Sequence, residues 1–116
     1  PSAILLALMA AGMNGQRFAF HGYLPVASEA RIAALEALDV AVAQTGVTQI
    51  AIETPYRNDA LLAAALATCR PGTELCLAID LTLPSEQIVR RTIAQWRDAA
   101  RIELNRRPAI FLLGRT

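Results

Sequence analysis

The stretch from Glu74 to Asp80 constrains the fold most, because it is a strand candidate with apolar side chains on both sides. Its two alternating sets of side chains are Leu75, Leu77 and Ile79 on one side, and Cys76 and Ala78 on the other. A strand that is apolar on both sides is typical of a sheet covered by helices on both faces. This pattern predicts a layered α/β sheet.

Gly, Pro and Asn residues divide the rest of the sequence into further helices and strands. Before Glu74 we predict a buried helix over Ala3–Ala11, a strand over Phe18–Leu24 ended by Pro25, a helix capped by Ser28 and ended by Gly46, a strand over Val47–Glu53, and a helix capped by Asn58 that runs to about Cys69. After Asp80 we predict a helix opened by Thr82–Glu86, with Ile88, Val89, Thr92, Ile93 and Trp96 on its inner face, and then an antiparallel hairpin of strands Arg101–Leu104 and Ala109–Gly114. This order predicts a three-layer α/β fold, with a mixed sheet of about five strands flanked by about four helices.

Alternation and helical spacing also predict which side chains face the core. In the strand from Phe18, we expect Phe18, Phe20, Gly22 and Leu24 on one face and Ala19, His21 and Tyr23 on the other. In the helix from Ser28, we expect Ile32, Leu35, Leu38 and Val42 to point inward, and Glu36 and Asp39 to point to solvent. Trp96 is expected to anchor the last helix.

The composition indicates a single domain with its own core, because 54% of the 116 residues are hydrophobic. The net charge of +1 argues against binding nucleic acid by charge alone. The longest apolar run, Ala3 to Met13, falls well short of the about 20 residues that cross a bilayer, so no membrane segment is expected. No basic segment or initiator Met precedes this run, so we expect no signal peptide and expect Pro1 to mark a cut inside a longer protein.

The two cysteines, Cys69 and Cys76, are separated by a Pro-Gly turn. Neither has a second Cys or a His at the spacing of metal ligands, so no metal site is predicted. We favour free, mostly buried thiols over a disulfide, because small oxidised domains usually carry several bridges. The predicted compartment is therefore the cytoplasm.

Common catalytic motifs are missing from the sequence, which has no G-x-G-x-x-G, no Gly-Lys-Ser phosphate loop, no H-E-x-x-H and no G-x-S-x-G. Polar residues instead follow the predicted strands, where open α/β sheets have their binding crevices. Three such loops are His21–Pro25, Glu53–Asn58, and Asp80–Thr82 with Glu86. We expect these loops to share one edge of the sheet.

Five strings in a fixed order cover nearly the whole chain. They are Pro1-Ser2-Ala3 before an apolar helix, Phe18-Ala19-Phe20-His21-Gly22-Tyr23-Leu24-Pro25, Glu53-Thr54-Pro55-Tyr56-Arg57, Ala78-Ile79-Asp80-Leu81-Thr82 with Glu86, and Arg107-Pro108-Ala109-Ile110-Phe111. Together they resemble the tetrapyrrole methylase superfamily, the class III S-adenosylmethionine-dependent methyltransferases. They look closest to the bacterial branch that includes the ribosomal RNA small-subunit ribose 2′-O-methyltransferases.

The resemblance implies that residues 1–116 are the C-terminal half of a two-domain methyltransferase, whose N-terminal domain carries the donor motifs and lies outside this chain. S-adenosylmethionine would bind in a cleft between the domains, so the isolated half is expected to be inactive. Carried over by position, the donor-binding residues are Pro1, Ser2, Gly22, Tyr23, Ala78, Ile79, Asp80, Pro108 and Ala109. The resemblance further implies a homodimer and an acceptor that is RNA or a tetrapyrrole-like small molecule. The alternative is a non-catalytic dimerisation or interaction module that kept the fold.

The same positions suggest His21, Tyr56 and Arg57 as acceptor-binding residues, and His21 and Arg57 as catalytic candidates. His21 is the one histidine of the chain, and we favour a hydrogen-bonding role for it over that of a general base. Asp80 and Arg57 would face the acceptor or tie the loops together.

Charged and aromatic residues elsewhere allow two interpretations each. We favour a loop-bracing ion pair between Glu53 and Arg57 over a catalytic role. The two tyrosines already named, Tyr23 and Tyr56, would stack on adenine or another base, or would pack in the core or at the rim. The pairs Arg90-Arg91 and Arg106-Arg107 could meet RNA phosphates, but we favour a solvated face.

Overall fold

The computed structural model describes residues 2–104 and 106–115, which form four α-helices, one short 3₁₀ helix and five strands. In chain order these are α1 (Ala3–Ala11), β1 (Phe18–Tyr23), α2 (Ser28–Thr45), β2 (Thr48–Ile52), the 3₁₀ helix (Pro55–Arg57), α3 (Asn58–Thr68), β3 (Glu74–Ile79), β4 (Gln87–Thr92), α4 (Ile93–Asp98) and β5 (Ala109–Gly114). Most of these elements match the sequence-based expectation. The exceptions lie between Asp80 and Leu104.

The sheet is mixed, with the strand order β1-β2-β5-β3-β4. β1 and β2 are parallel, whereas β5 lies between β2 and β3 and is antiparallel to both. β4 is antiparallel to β3 and forms the far edge. Consequently β1, β2 and β3 end where β4 and β5 begin, and we call this the upper end of the sheet.

The two faces of the sheet are covered unequally. On the covered face, α2, α3 and α4 pack over a large core that includes Leu35, Leu62, Leu77, Trp96 and Phe111. On the open face, α1 packs against β3, β4 and β5, with a smaller cluster that includes Ala7, Leu8, Ile50, Cys76 and Leu112. The alternation predicted for β3 is confirmed, since its odd-numbered leucines face one cluster and Cys76 and Ala78 the other. The three-layer α/β fold is confirmed as well.

The helix predicted from Thr82–Glu86 is wrong. Gln87–Thr92 instead forms the edge strand β4, and the helix behind it is the short α4. The Pro84 and Glu86 signals belong to a loop, in which the Glu86 carboxylate accepts a hydrogen bond from the Thr82 N–H at 2.9 Å. Thr92 is the true N-cap, with Gln95 completing a capping box.

The predicted C-terminal hairpin is also wrong. Residues Arg101–Leu104 have no regular secondary structure, and β5 inserts between β2 and β3 instead. Leu104 is nevertheless fully buried against the covered face. Trp96 anchors α4 as expected, since it is buried and its indole N–H donates to the Leu75 carbonyl oxygen at 2.9 Å.

Three expectations about helix ends and faces need correction. Neither Ser28 nor Asn58 is an N-cap, because each is the first residue inside its helix. The expected buried helix, α1, is half exposed, with 76% of Met9 accessible, because only one side of it meets the sheet.

Asp39 is buried rather than solvated. It lies on the inner side of α2 and accepts hydrogen bonds from Thr73 Oγ1 and Arg70 Nε, the latter at 2.9 Å. Ile32, expected to point inward, is exposed. Leu35, Leu38 and Val42 are buried as predicted, and Gly46 ends the helix in the left-handed conformation. The buried side of α2 therefore includes Asp39 and excludes Ile32.

Candidate functional site

A cleft of about 330 Å³ opens on the open face at the upper end of the sheet. Its lining comes from the first turn of α1, the last residue of β2, the end of β3, the start of β5 and the loop after β3. The lining on the side of the sheet and α1 consists of Ala3, Ile4, Ile52, Ala78, Pro108 and Ala109. Strands that are distant in sequence therefore meet at this one place.

Strand register extends the floor of the cleft across the sheet. Tyr23 pairs with Ile52, Ile52 with Ile110, Ile110 with Ala78, and Ala78 with Ile88. Paired residues on neighbouring strands point to the same face, so this row lies on the open face from one edge of the sheet to the other. The segments named by the resemblance, around Tyr23, Ala78 and Pro108, share one end of the sheet.

Gly22 places Tyr23 in this row. The register shifts between Phe20 and Tyr23, and Gly22 has a φ of +66°, which few residues other than glycine adopt. The shift moves Tyr23 to the same face as Phe20, contrary to the predicted alternation. For the same reason Leu24 turns to the covered face, where it is buried against Leu35.

The remaining donor-binding candidates are not equivalent. Ile79 is fully buried in the covered-face core, so only its backbone is near the cleft. Ser2 caps α1, with its hydroxyl oxygen accepting a hydrogen bond from the Leu5 N–H at 3.3 Å. Pro1 lies outside the described residues. The role of each residue toward a ligand stays a prediction.

An ion pair braces the rim of the cleft. The Asp80 carboxylate accepts hydrogen bonds from Arg107 Nε at 2.8 Å and from Ser85 Oγ at 2.9 Å. These bonds, the Arg107 bond first, lower the pKa of Asp80 below its ordinary value, against the opposing effect of desolvation. Asp80 thus ties loops together, one of the two roles expected for it.

The acceptor-binding candidates lie outside the cleft lining. His21 Nε2 and Gln49 Oε1 are 2.6 Å apart, on the side of β1 and β2 that faces α2. Tyr56 and Arg57 follow β2 in the 3₁₀ helix, where the Arg57 guanidinium stands 4.9 Å from the centre of the Tyr56 ring. Both tyrosines named as ligand contacts, Tyr23 and Tyr56, are exposed.

The expected Glu53–Arg57 ion pair is wrong. Glu53 is buried, and its charged neighbour is Arg31, with Nη2 and Oε2 3.9 Å apart. The other carboxylate oxygen accepts a hydrogen bond from the Thr54 N–H at 2.7 Å. Arg31 lies one helical turn before Leu35 on the inner side of α2, which is the signal that could have identified it.

The solvated-face interpretation of the two arginine pairs is wrong for three of the four residues. Arg90 forms an ion pair with Glu74 at 2.7 Å, and Arg91 lies over the Trp96 ring at 4.8 Å. Arg107 holds Asp80, so only Arg106 is an exposed residue without such a structural contact here. The sequence named Arg107 as part of a string and of an arginine pair, but it did not predict the contact of Arg107 with Asp80.

Both cysteines are free and buried, as expected. Burial is the main cause that raises the pKa of Cys69 to about 12 and the pKa of Cys76 to about 11, so both are neutral thiols at neutral pH. Across residues 2–104 and 106–115, no group of three or more His, Cys, Asp or Glu side chains is placed to hold a metal ion. Over the same ranges, every helix is too short or too polar to span a bilayer.

Comparison with known proteins supports the resemblance. No protein-family model matches the chain. A curated relative, the ribosomal RNA small subunit methyltransferase I of Micromonospora olivasterospora, is 36% identical over 104 residues, which are 88% of this chain and 31% of that protein. The chain is therefore similar in sequence, over most of its length, to part of a ribosomal RNA methyltransferase. Its relative comes from the branch to which the five strings pointed.

Solved structures of two methyltransferases share the fold. The methyltransferase CobJ superposes with a TM-score of 0.63 at 21% identity, over 99% of this chain and 48% of its own. The cobalt precorrin-4 methyltransferase CbiF superposes with a TM-score of 0.61 at 18% identity, over 97% of this chain and 48% of its own. The chain thus spans about half of these structures and 31% of the curated relative.

Proposed function

We propose that this chain is the C-terminal half of a cytoplasmic S-adenosylmethionine-dependent methyltransferase, and that it contributes one side of the donor and acceptor cleft. The observation that carries the proposal is the cleft on the open face. It brings together Ala3, Ala78 and Pro108, which come from three of the five strings that carry the family resemblance.

The shape of the cleft suits part of such a donor. Its volume of about 330 Å³ lies at the low end of the range for ligand pockets, roughly 300–1,000 Å³. The alanines at positions 3 and 78 leave the backbone accessible to an adenosyl group on the open face. A cleft of this size with one open side fits a donor that a second domain covers. When bound, the donor supplies a methyl group activated on a sulfonium centre.

The residues of this chain would act by binding and orientation. Aligning two reactants can contribute roughly 7–11 kcal/mol to a reaction of this kind, so a rigid apolar floor is useful in itself. Backbone groups at Ala109 and beside it would provide the polar contacts, because Ala78 and Ile79 are paired with strands on both sides and the Asp80 carboxylate is already engaged by Arg107 and Ser85.

The acceptor is proposed to be RNA or a tetrapyrrole-like small molecule. The curated relative is named for ribosomal RNA, and CbiF for a cobalt precorrin. RNA bases and tetrapyrrole rings both present flat ring surfaces, on which the exposed rings of Tyr23 and Tyr56 could stack. His21 would hydrogen-bond the acceptor or, if the acceptor is a hydroxyl, take its proton, and Arg57 would bind nearby.

The second candidate function is a non-catalytic dimerisation or interaction module. It is favoured by one observation, the apolar edge strand β1, where 40% of Phe18, 49% of Phe20 and 65% of Tyr23 are accessible. Unpaired apolar strand edges are surfaces that proteins usually cover. A homodimer of the methyltransferase is part of the first proposal, so dimerisation by itself does not separate the two functions.

Calorimetric titration of the full-length protein with S-adenosylmethionine separates them. The methyltransferase proposal predicts binding with a dissociation constant between roughly 1 μM and 1 mM. It also predicts donor-dependent methylation of ribosomal RNA or of a tetrapyrrole. The 116-residue chain alone should show neither. A full-length protein that forms a dimer but does not bind the donor would support the interaction module instead.

A further inference from the structure

The loop after β3 holds a backbone conformation that needs support. Asp80 and Thr82 have φ values of +52° and +68°, in the left-handed region that residues with a Cβ seldom adopt. Such residues persist only where surrounding contacts fix them, and they concentrate at functional sites. This loop also supplies Leu81 and Leu83 to the wall of the cleft.

Besides hydrogen bonds within the loop, such as that from the Thr82 N–H to the Glu86 carboxylate, one side chain, Arg107, contacts both its beginning and its end. Its Nε donates to the Asp80 carboxylate at 2.8 Å, its Nη2 to the Ser85 carbonyl oxygen at 3.1 Å, and its Nη1 to the Glu103 carbonyl oxygen at 3.0 Å. Ser85 Oγ donates to the same Asp80 oxygen, which closes a ring of contacts. Arg107 therefore spans the beginning and the end of the loop.

The backbone of Arg107 is itself fixed from the other side. Its carbonyl oxygen accepts a hydrogen bond from Asn58 Nδ2 at 2.7 Å, and Asn58 is fully buried at the start of α3. The next residue, Pro108, lines the cleft, and its carbonyl oxygen accepts a hydrogen bond from the Asp80 N–H at 2.9 Å. Arg107 thus connects the loop to the rigid floor.

We propose that Arg107 is a positioning residue for the donor cleft, which acts through Asp80 and Ser85 to hold the wall formed by Leu81 and Leu83. This inference rests on the proposed function. In it, the Asp80 carboxylate shapes the cleft and does not contact the donor. Arginine suits the role, because its planar group offers several donors in a fixed geometry that lysine lacks.

The test measures affinity for S-adenosylhomocysteine in the full-length protein by calorimetry. Arg107→Met should weaken binding about tenfold, because the loop loses its support. Asp80→Asn should weaken binding on its own but add little in the Arg107→Met background, because the two residues act as one unit. Arg70→Met is the matched control: it removes a similar ion pair, with Asp39, on the covered face and should leave the affinity unchanged.

A kinetic readout separates positioning from a general loss of fold. With Arg107→Met, the KM for the donor should rise while kcat at saturating donor stays close to the wild-type value. If Arg107→Met does not fold, Ser85→Ala removes a smaller part of the same contacts and should raise the donor KM by a smaller factor.

Three results would overturn the inference. Unchanged donor affinity in folded Arg107→Met would show that Arg107 only stabilises the chain. An Asp80→Asn effect that stays complete in the Arg107→Met background would show direct contact between Asp80 and the donor. A wild-type protein that does not bind the donor would refute the proposed function and, with it, this inference, whereas the first two results leave the proposed function intact.

Discussion

The covered and open faces of the sheet use the same strands for different purposes. On the covered face, three helices bury a continuous apolar core, and the buried Asp39 is paired with Arg70 and Thr73. On the open face, α1 covers part of the sheet and leaves a cleft at one end and aromatic side chains on β1. Successive side chains of β3 point alternately to the covered face and to the open face.

This difference shows where stability and function separate in the molecule. The covered face buries most of the apolar area, and burial of apolar area is the main favourable term in folding. The open face combines small residues, a left-handed glycine and a loop with strained backbone, features that stabilise little by themselves. They make sense as the parts of a binding surface. Substitutions on the two faces should therefore differ in kind.

The largest expected effect is the loss of a large side chain from the covered face. Leu77→Ala should lower the free energy of unfolding by about 2–5 kcal/mol, because Leu77 is fully buried in the central part of the sheet. Phe20→Ala on the open face should lower it by about 1 kcal/mol or less. Urea unfolding followed by Trp96 fluorescence measures both. Equal losses would contradict the comparison of the faces.

The second-largest effect is expected for the buried Asp39 carboxylate of α2. Asp39→Ala leaves the Thr73 hydroxyl and Arg70 Nε without their acceptor, and should cost about 1–3 kcal/mol in the same unfolding experiment. Glu36→Ala, on the exposed side of the same helix, should change stability by no more than about 0.5 kcal/mol. A small effect for Asp39→Ala would mean that this network does not support the covered face.

Gly22→Ala should cost about 1–2 kcal/mol, because a Cβ strains the left-handed backbone there. An added Cβ meets no atom of the described residues within 4 Å, so the loss measures backbone strain without a clash. Gly72→Ala is the control: its Cβ would be equally free, and its φ is not positive, so stability should hardly change. If both variants are equally stable, the register shift between Phe20 and Tyr23 does not require the left-handed backbone of Gly22.

The smallest effect is a dependence of stability on pH. Because its folded pKa is lowered, Asp80 contributes stability above its ordinary pKa of about 3.9, and this contribution is lost as the pH falls through the lowered folded value. Melting temperatures measured from pH 7 down to about pH 2 should therefore fall less steeply below about pH 4 in Asp80→Asn than in the wild type. Parallel curves would show that Arg107 does not hold an ionised Asp80.

The sequence predicted the elements that have one strong local signal. α1, β2, β3 and the end of α2 at Gly46 follow from apolar spacing and from residues that end a helix. The segment after Asp80 was misassigned because Pro84 and Glu86 resemble a helix start, although the Glu86 carboxylate closes a loop. The capping box from Thr92 to Gln95 marked the true start of α4 in the sequence itself.

The candidate site was only partly predictable, for a physical reason. Polar residues after strands pointed to the correct end of the sheet, because strand direction follows from the chain. The pairing of Asp80 with Arg107 depends on strand order, which places β5 beside β3. Local patterns carry no information about such partners.

The central claim is that the cleft at the upper end of the open face binds S-adenosylmethionine in the full-length protein. Ala3→Trp tests it most directly, because Ala3 lines the cleft and is exposed, so a large side chain can fill the space with little disturbance of the core. Ala10→Trp places the same ring on an exposed position of the same helix, outside the cleft lining. Calorimetric titration should show that the donor no longer binds to Ala3→Trp, whereas Ala10→Trp binds it like the wild type. Equal affinity in all three proteins would contradict the claim.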